Sequence, residues 1–292
     1  MIDWLRHSTP VHRPALPSRS PLRRNRRVQF VAGCATYVGR RARNEDACTV
    51  QDLAGPAARS PADAFRSRRY TDDGVLFLAV ADGMGGHVGG DIASGIAVGT
   101  GLREVRNLLS VRGLGGSMTE ALRRVVETCD RTIRSESERD PTLLGMGTTL
   151  TMALVTWPYL HVAHVGDSRC YLFRNNTLIQ LTHDHTIAGA LAAHGAIDAD
   201  AIEQSPFAHV LANALGGHEN GVKAEMCAVR LHVGDAVLVC SDGLTRGLTQ
   251  AEIVKLLSAP HATSASLVEA AKAAEVSDNT TVALGWCCPA AG

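Results

Sequence analysis

The sequence predicts an α+β fold, and three patterns carry that prediction. Strand-like apolar runs, a helix pair, more strand-like runs, more helices and a closing strand follow one another, without a regular β-α-β alternation. The second helix-like stretch has an apolar face, with Leu122, Val125, Val126, Cys129 and Ile133 at i, i+3, i+4, i+7 and i+11 spacing. Finally, three apolar runs end on an aspartate. Val75 to Ala81 leads into Asp82-Gly83, Leu160 to Gly166 into Asp167-Ser168, and Ala236 to Ser241 into Asp242-Gly243. A fourth aspartate, Asp278, opens the reverse pattern, with Asn279 leading into Thr280 to Leu284.

In chain order, residues 1–28 hold Pro10, Pro14, Pro17 and Pro21 among Ser and Arg and show no periodicity, which predicts a flexible basic tail. Ordered structure is expected near Gln29 to Ala35, with one domain over 29–288. A turn at Gly39 leads to Asn44-Glu45-Asp46 and a second strand, Ala47 to Val50. Residues 52–72 lack a pattern and read as a long hairpin loop. After Asp82 comes a glycine-rich turn, Gly83 to Gly90, and then helices at 91–109 and 117–138, split by Arg112 to Gly116. Strands return at 148–156, 159–166 and 170–174, with Asn175-Asn176 as a hairpin turn. A short helix at 186–194 ends at Gly195, and 196–218 reads as a mixed flap beside the site. Strands at 222–231 and 236–241, helices at 249–258 and 264–274, and a strand from Thr280 complete the chain.

Composition narrows the function. The 292 residues are 45% hydrophobic, enough for a sizeable core. The net charge of zero conceals an asymmetry: seven arginines against Asp3 give residues 1–28 a charge of +6, leaving −6 on the rest. An acidic body suits metal-gathering carboxylates and argues against nucleic-acid binding. The tail itself reads as a solvated segment, with an acidic partner or anionic lipid as the functional alternative. No apolar stretch approaches the roughly 18 residues a membrane helix requires, and the N-terminus has no signal-like apolar core. A cytoplasmic, monomeric enzyme is the expectation. The eight cysteines include no C-x-x-C pair, which predicts reduced core thiols, with Cys287 and Cys288 exposed near the end.

Strands sharing an end would bring the four aspartates together. Clustered anions require cations between them, and an oxygen-only set suits hard divalent ions such as Mg²⁺ or Mn²⁺. Arg41, five residues before Asp46, adds a permanently charged donor fork suited to phosphate.

Seven blocks then match a family in order and rough spacing: Arg41 to Asp46, Ala81 to His87, Gly147-Thr148-Thr149, Gly166 to Arg169, Asp184-His185-Thr186, Ser241-Asp242-Gly243 and Asp278 to Thr281. Over residues 29–286 the chain resembles the metal-dependent type 2C (PPM) protein phosphatases, in their bacterial form. That resemblance implies a β-sandwich of two antiparallel sheets, each covered by a helix pair. It implies hydrolysis of phosphoserine and phosphothreonine in proteins by a metal-activated water, opposing a Ser/Thr kinase. Asp82 matches the carboxylate that bridges two tightly bound Mn²⁺ or Mg²⁺ ions, with the Gly83 carbonyl beside it. Glu45, Asp242 and Asp278 match further metal carboxylates, and Asp46 a neighbour acting through water. Asp167 resembles a ligand of a third, weaker ion, and Arg41 the phosphate-binding arginine.

Two positions depart from the pattern. Met84 stands where eukaryotic relatives place a histidine as candidate acid, leaving His87 as a possible acid or a structural imidazole. Asn213 stands where an arginine is common. The rival readings are a metal-free binding module on the same fold and a metal phosphodiesterase or nuclease. The retained aspartates argue against the first, and the acidic body against the second.

Overall fold

The computed structural model describes residues 28–53, 68–70, 75–84, 89–110, 117–217 and 221–289. The expected tail, most of the 52–72 loop, the 112–116 break and His87 lie outside the described residues.

Two antiparallel sheets face each other. The first runs β3 (Arg68–Tyr70), β1 (Val28–Tyr37), β12 (Thr280–Pro289), β11 (Ala236–Cys240), β8 (Arg169–Arg174), β9 (Thr177–Gln180). The second runs β10 (Glu225–Arg230), β7 (Tyr159–Val165), β6 (Leu150–Thr156), β4 (Val75–Met84), β2 (Asp46–Asp52), with the short β5 (Gly147–Thr148) also pairing β4. Helices α1 (Gly90–Ser110) and α2 (Met118–Arg139) cover the second sheet. Helices α5 (Gln250–Leu257) and α6 (Ser264–Ala273) cover the first.

This layering explains why the strands read as unbroken apolar runs. Successive side chains of a strand point to opposite faces, and here both faces are buried. On β4, Leu76, Leu78 and Val80 enter the core between the sheets, while Phe77, Ala79 and Ala81 pack under α1 and α2. On β11, Val237 and Val239 face the other sheet, while Ala236, Leu238 and Cys240 face α5 and α6. The α-β-β-α sandwich implied by the resemblance is therefore the fold observed.

Several details differ from the sequence expectation. The 52–72 stretch includes β3, an edge strand paired to β1. The predicted strand over 148–156 is divided at Thr149 into β5 and β6, both paired to β4, and the Thr149 amide still donates to the Asp82 carbonyl of β4 (2.9 Å). Residues 242–247, assigned no element between the predicted strand and helix, form a short helix, α4 (Asp242–Gly247). Helix α3 (Ile187–Ala193) starts on its cap Thr186, whose hydroxyl accepts from the Gly189 amide. Cys287, expected to be exposed, is buried, because β12 runs on to Pro289 along the whole of β1.

Candidate metal centre

The aspartates meet because the strands bearing them end at the same edge of the sandwich. Asp46 opens β2 and lies directly opposite Asp82 on β4. Across the gap between the sheets, the Ser241 hydroxyl donates to Asp46 Oδ2 at 2.7 Å and accepts from the Thr281 amide at 2.9 Å. That one hydroxyl joins the start of β2 to the end of β11 and the start of β12.

The backbone around Asp82 is fixed from three sides. Its amide donates to Thr149 Oγ1 (2.8 Å), which pairs with Ser168 Oγ (2.7 Å), while the Thr148 hydroxyl donates to its carbonyl (2.9 Å). Gly147-Thr148 thus acts as scaffold for Asp82. Gly83 must be glycine for a local reason: a Cβ there would collide with the Gly90 carbonyl and lie 2.6 Å from the Glu45 carbonyl. The crowding comes from the protein backbone itself.

Glu45 is held by its main chain. Its amide donates to Asn279 Oδ1 (2.8 Å), and its carbonyl accepts from the Gly83 amide (3.1 Å) and the Ser94 hydroxyl (2.6 Å). Its carboxyl lies against Gly90 at the start of α1, where a Cβ would come within 2.9 Å of it. The positive end of that helix favours an anion there.

The electrostatics are those of a buried anion cluster that its bordering arginines compensate only in part. Burial, then Asp46, Asp242, Asp167 and Asp278 in turn, drives the Asp82 carboxyl far above the usual carboxylate range. Burial also raises Asp46 to about 6, against the pull of the Thr281 and Ser241 hydrogen bonds. Asp167 is raised to about 7 by burial, with Asp242 and Asp184 adding to it. Asp242 is raised by burial, which Arg246 opposes. Asp46 Oδ1 and Asp242 Oδ1 are buried without a hydrogen-bond partner among the described residues. Orphaned oxygens of this kind are costly unless a proton or cation meets them. The donor set is all oxygen, so the site fits hard divalent cations.

Two guanidiniums border the cluster. Arg41 forks onto Asp278, Nε to Oδ1 and Nη2 to Oδ2, both at 2.9 Å. Arg246, on α4, reaches Asp242 Oδ2 at 2.7 Å and Asp278 Oδ2 at 3.0 Å. Sequence reasoning missed Arg246. Its i,i+4 spacing from Asp242 was the available signal, hidden because no helix is predicted between the strand ending at 241 and the helix from 249. Ser241 was also missed as a tie between the sheets.

Next to the cluster, beyond the Gly166 turn, lies a second group of possible metal ligands, His164, His185 and Glu225. The buried His164 bonds Thr151 Oγ1 through Nδ1 (2.8 Å) and the His183 carbonyl through Nε2 (3.0 Å). His185 Nδ1 faces the Gly166 amide (3.3 Å) and Asn213 Nδ2 (3.0 Å). Asn213, at the position where an arginine is common, thus serves to hold His185. Arg169 forks onto Asp184 at 2.6–3.1 Å and fastens the segment leading into α3 to the start of β8.

Comparison with known proteins agrees with this geometry. Residues 60–278 match the family model described as protein phosphatase 2C. The chain is 34% identical over 230 residues to the serine/threonine protein phosphatase PstP of Mycobacterium tuberculosis (strain CDC 1551 / Oshkosh), covering 77% of this chain and 43% of that protein. It is 35% identical over 214 residues to the serine/threonine phosphatase stp of Listeria welshimeri, covering 69% of this chain and 83% of that protein. The crystal structure of the M. tuberculosis phosphatase superposes with a TM-score of 0.72 at 30% identity, covering 89% of this chain and 99% of that one. The catalytic domain of PstP in complex with two manganese ions gives 0.70 at 30% identity, covering 89% and 99%. The chain belongs to the protein phosphatase 2C family. It spans 43% of the length of the M. tuberculosis relative. Among the described residues, no helix is long and apolar enough to cross a membrane.

Proposed function

We propose that this chain is a metal-dependent protein-serine/threonine phosphatase whose centre is the carboxylate cluster. The observation that carries the reading is the pair of orphaned buried oxygens, Asp46 Oδ1 and Asp242 Oδ1, inside a cluster bordered by a phosphate-suited arginine. Asp82 is assigned to two tightly held Mn²⁺ or Mg²⁺ ions, with the Gly83 carbonyl, Glu45, Asp242 and Asp278 completing their shells and Asp46 acting through water. Asp167 is assigned to a third, weaker ion. When bound, the cations activate water for attack on phosphorus and offset charge on the phosphoryl oxygens.

Arg41 binds and orients the phosphate. Its fork matches two phosphoryl oxygens, and its side chain is 59% exposed, open to an incoming substrate. Thr149, Thr148 and Ser168 keep the Asp82 backbone rigid, so the ligand oxygens do not move as charge develops. The substrates are phosphorylated proteins, and the partner enzyme a Ser/Thr kinase. We place the protein in the cytoplasm as a monomer, with 29–288 as the catalytic unit and the basic tail outside it.

The test is hydrolysis of phosphoserine and phosphothreonine peptides by the full chain. Protein stripped with chelator is expected to be inactive and to recover with Mn²⁺. Full turnover in excess chelator would sink the reading.

A further inference from the structure

Arg246 stands where a cation is wanted. From α4 its guanidinium spans the carboxylate at the end of β11 and the one that precedes β12, bonding Asp242 Oδ2 and Asp278 Oδ2 together. Asp242 Oδ1 is buried without a partner among the described residues and is free for a cation, whereas Asp242 Oδ2 and Asp278 Oδ2 are held by Arg246 and become available to one only when it releases them. A guanidinium and a divalent ion on the same two carboxylates repel each other at short range, and low-dielectric surroundings sharpen that repulsion.

Carboxylates gather at this edge of the sandwich and two guanidiniums, Arg41 and Arg246, border them, so in the metal-free protein the arginines offset part of the repulsion that cations would otherwise relieve.

Room exists for Arg246 to leave. Its side chain is 35% exposed and lines a groove of about 1000 Å³ that also borders Thr245, Gln250, Asp184 and Arg169. Asp184 in that groove is already forked by Arg169, so it does not hold Arg246 in place.

Resting on the metal-centre reading above, we propose that Arg246 is an internal counter-cation. It bridges Asp242 and Asp278 in the metal-free protein and yields those oxygens to a divalent ion by turning into the groove. The residue stabilises the empty site and, for that reason, weakens metal binding.

The experiment is calorimetric Mn²⁺ titration of chelator-stripped full-length wild type, Arg246→Gln and Arg246→Lys, with melting curves in chelator and in saturating Mn²⁺. Because the pair is partly exposed, Arg246→Gln should bind Mn²⁺ roughly 3- to 10-fold more tightly. Its metal-free form should melt lower than wild type, and the Mn²⁺-saturated forms should melt together. Arg246→Lys, which keeps the charge but cannot bridge two carboxylates, should fall between. Equal or weaker Mn²⁺ affinity in both variants would overturn the proposal and make Arg246 a positioning residue for the ligands. Wild type that binds no Mn²⁺ at all would instead overturn the metal-centre reading.

Discussion

Two clusters of ionisable side chains flank the Gly166–Ser168 turn, and they are wired in opposite ways. In the first, Asp46, Asp82, Asp167 and Asp242 are buried together, and burial with mutual repulsion pushes every one of them upward. Two of its oxygens have no partner among the described residues. In the second, His164, His185 and Glu225 bring ligand atoms within 4.8 Å of one another, but their demands are met within the protein. Burial would raise Glu225, yet hydrogen bonds from His185 and from the His183 backbone and ring bring it down to about 2. Burial, with His185 beside it, lowers His164 to about 4, so its ring is neutral and satisfied at Thr151 and the His183 carbonyl. Proximity of ligand-type residues is common to both. What separates a centre that requires ions from a structural knot is whether the protein itself completes the bonding.

The sharpest way to break this contrast is Asp82→Ala. If the carboxylates form one metal centre, Mn²⁺ binding and phosphopeptide turnover should vanish together, a loss on the order of 10³-fold or more in kcat. Asp167 serves as its control. Asp167→Ala should keep the two tight sites by calorimetry while turnover falls less far. Loss of the tight sites would place Asp167 in the binuclear core, and normal turnover would reduce it to a turn residue.

Arg41→Ala probes the border of the first cluster. Removing a charged hydrogen-bonding fork typically costs roughly 1.5–3 kcal/mol, or about 10- to 150-fold in kcat/KM. Mn²⁺ affinity should not weaken, because the guanidinium is a neighbour of Asp278 and not a ligand. Unchanged kinetics on a phosphopeptide would mean that phosphate docks elsewhere.

The first cluster was legible in the sequence, and the second was not, for physical reasons. Strands buried on both faces leave continuous apolar runs, so an aspartate that ends such a run is conspicuous, as at Asp82, Asp167 and Asp242. His164 occupies one position in the run Leu160 to Gly166, where a single polar residue reads as strand alternation. Its partners, His183, His185 and Glu225, sit 19 to 61 residues away, and no local period links them. Arg246 escaped because Asp242 to Gly247 holds two glycines in six residues, and glycine argues against a helix interior. Tertiary placement at the end of β11 overrides that propensity, and only the resulting turn of α4 brings Arg246 over its own Asp242. The division of the strands into two sheets likewise rested on the resemblance, since strand pairing between residues some 250 apart, as in β1 with β12, leaves no local signature.

The smallest expected effect tests whether the second cluster is only structural. Because the folded state holds His164 near 4 and an unfolded histidine titrates near 6.5, the unfolded chain binds the extra proton between those values. Stability from this group is therefore present above about pH 6.5 and lost as pH falls towards 4, by about 2–3 kcal/mol at the end of that window. Glu225 follows only lower, from about 4.5 down to about 2, so the two steps separate. The groups facing the ring are His185, Glu225, His183 and Asp184, and His164→Gln leaves all of them in place. Without metal, the raised carboxylates of the first cluster have the opposite slope, gaining stability as pH falls. Wild type and variant are therefore compared at each pH in chelator, where that contribution cancels. His164→Gln should melt lower than wild type at pH 7.5, with the gap narrowing towards pH 5. A gap that stays constant across this range would show that His164 does not titrate with unfolding. Tighter Mn²⁺ binding by wild type than by the variant at a site other than the carboxylates would make the histidine cluster a metal centre after all.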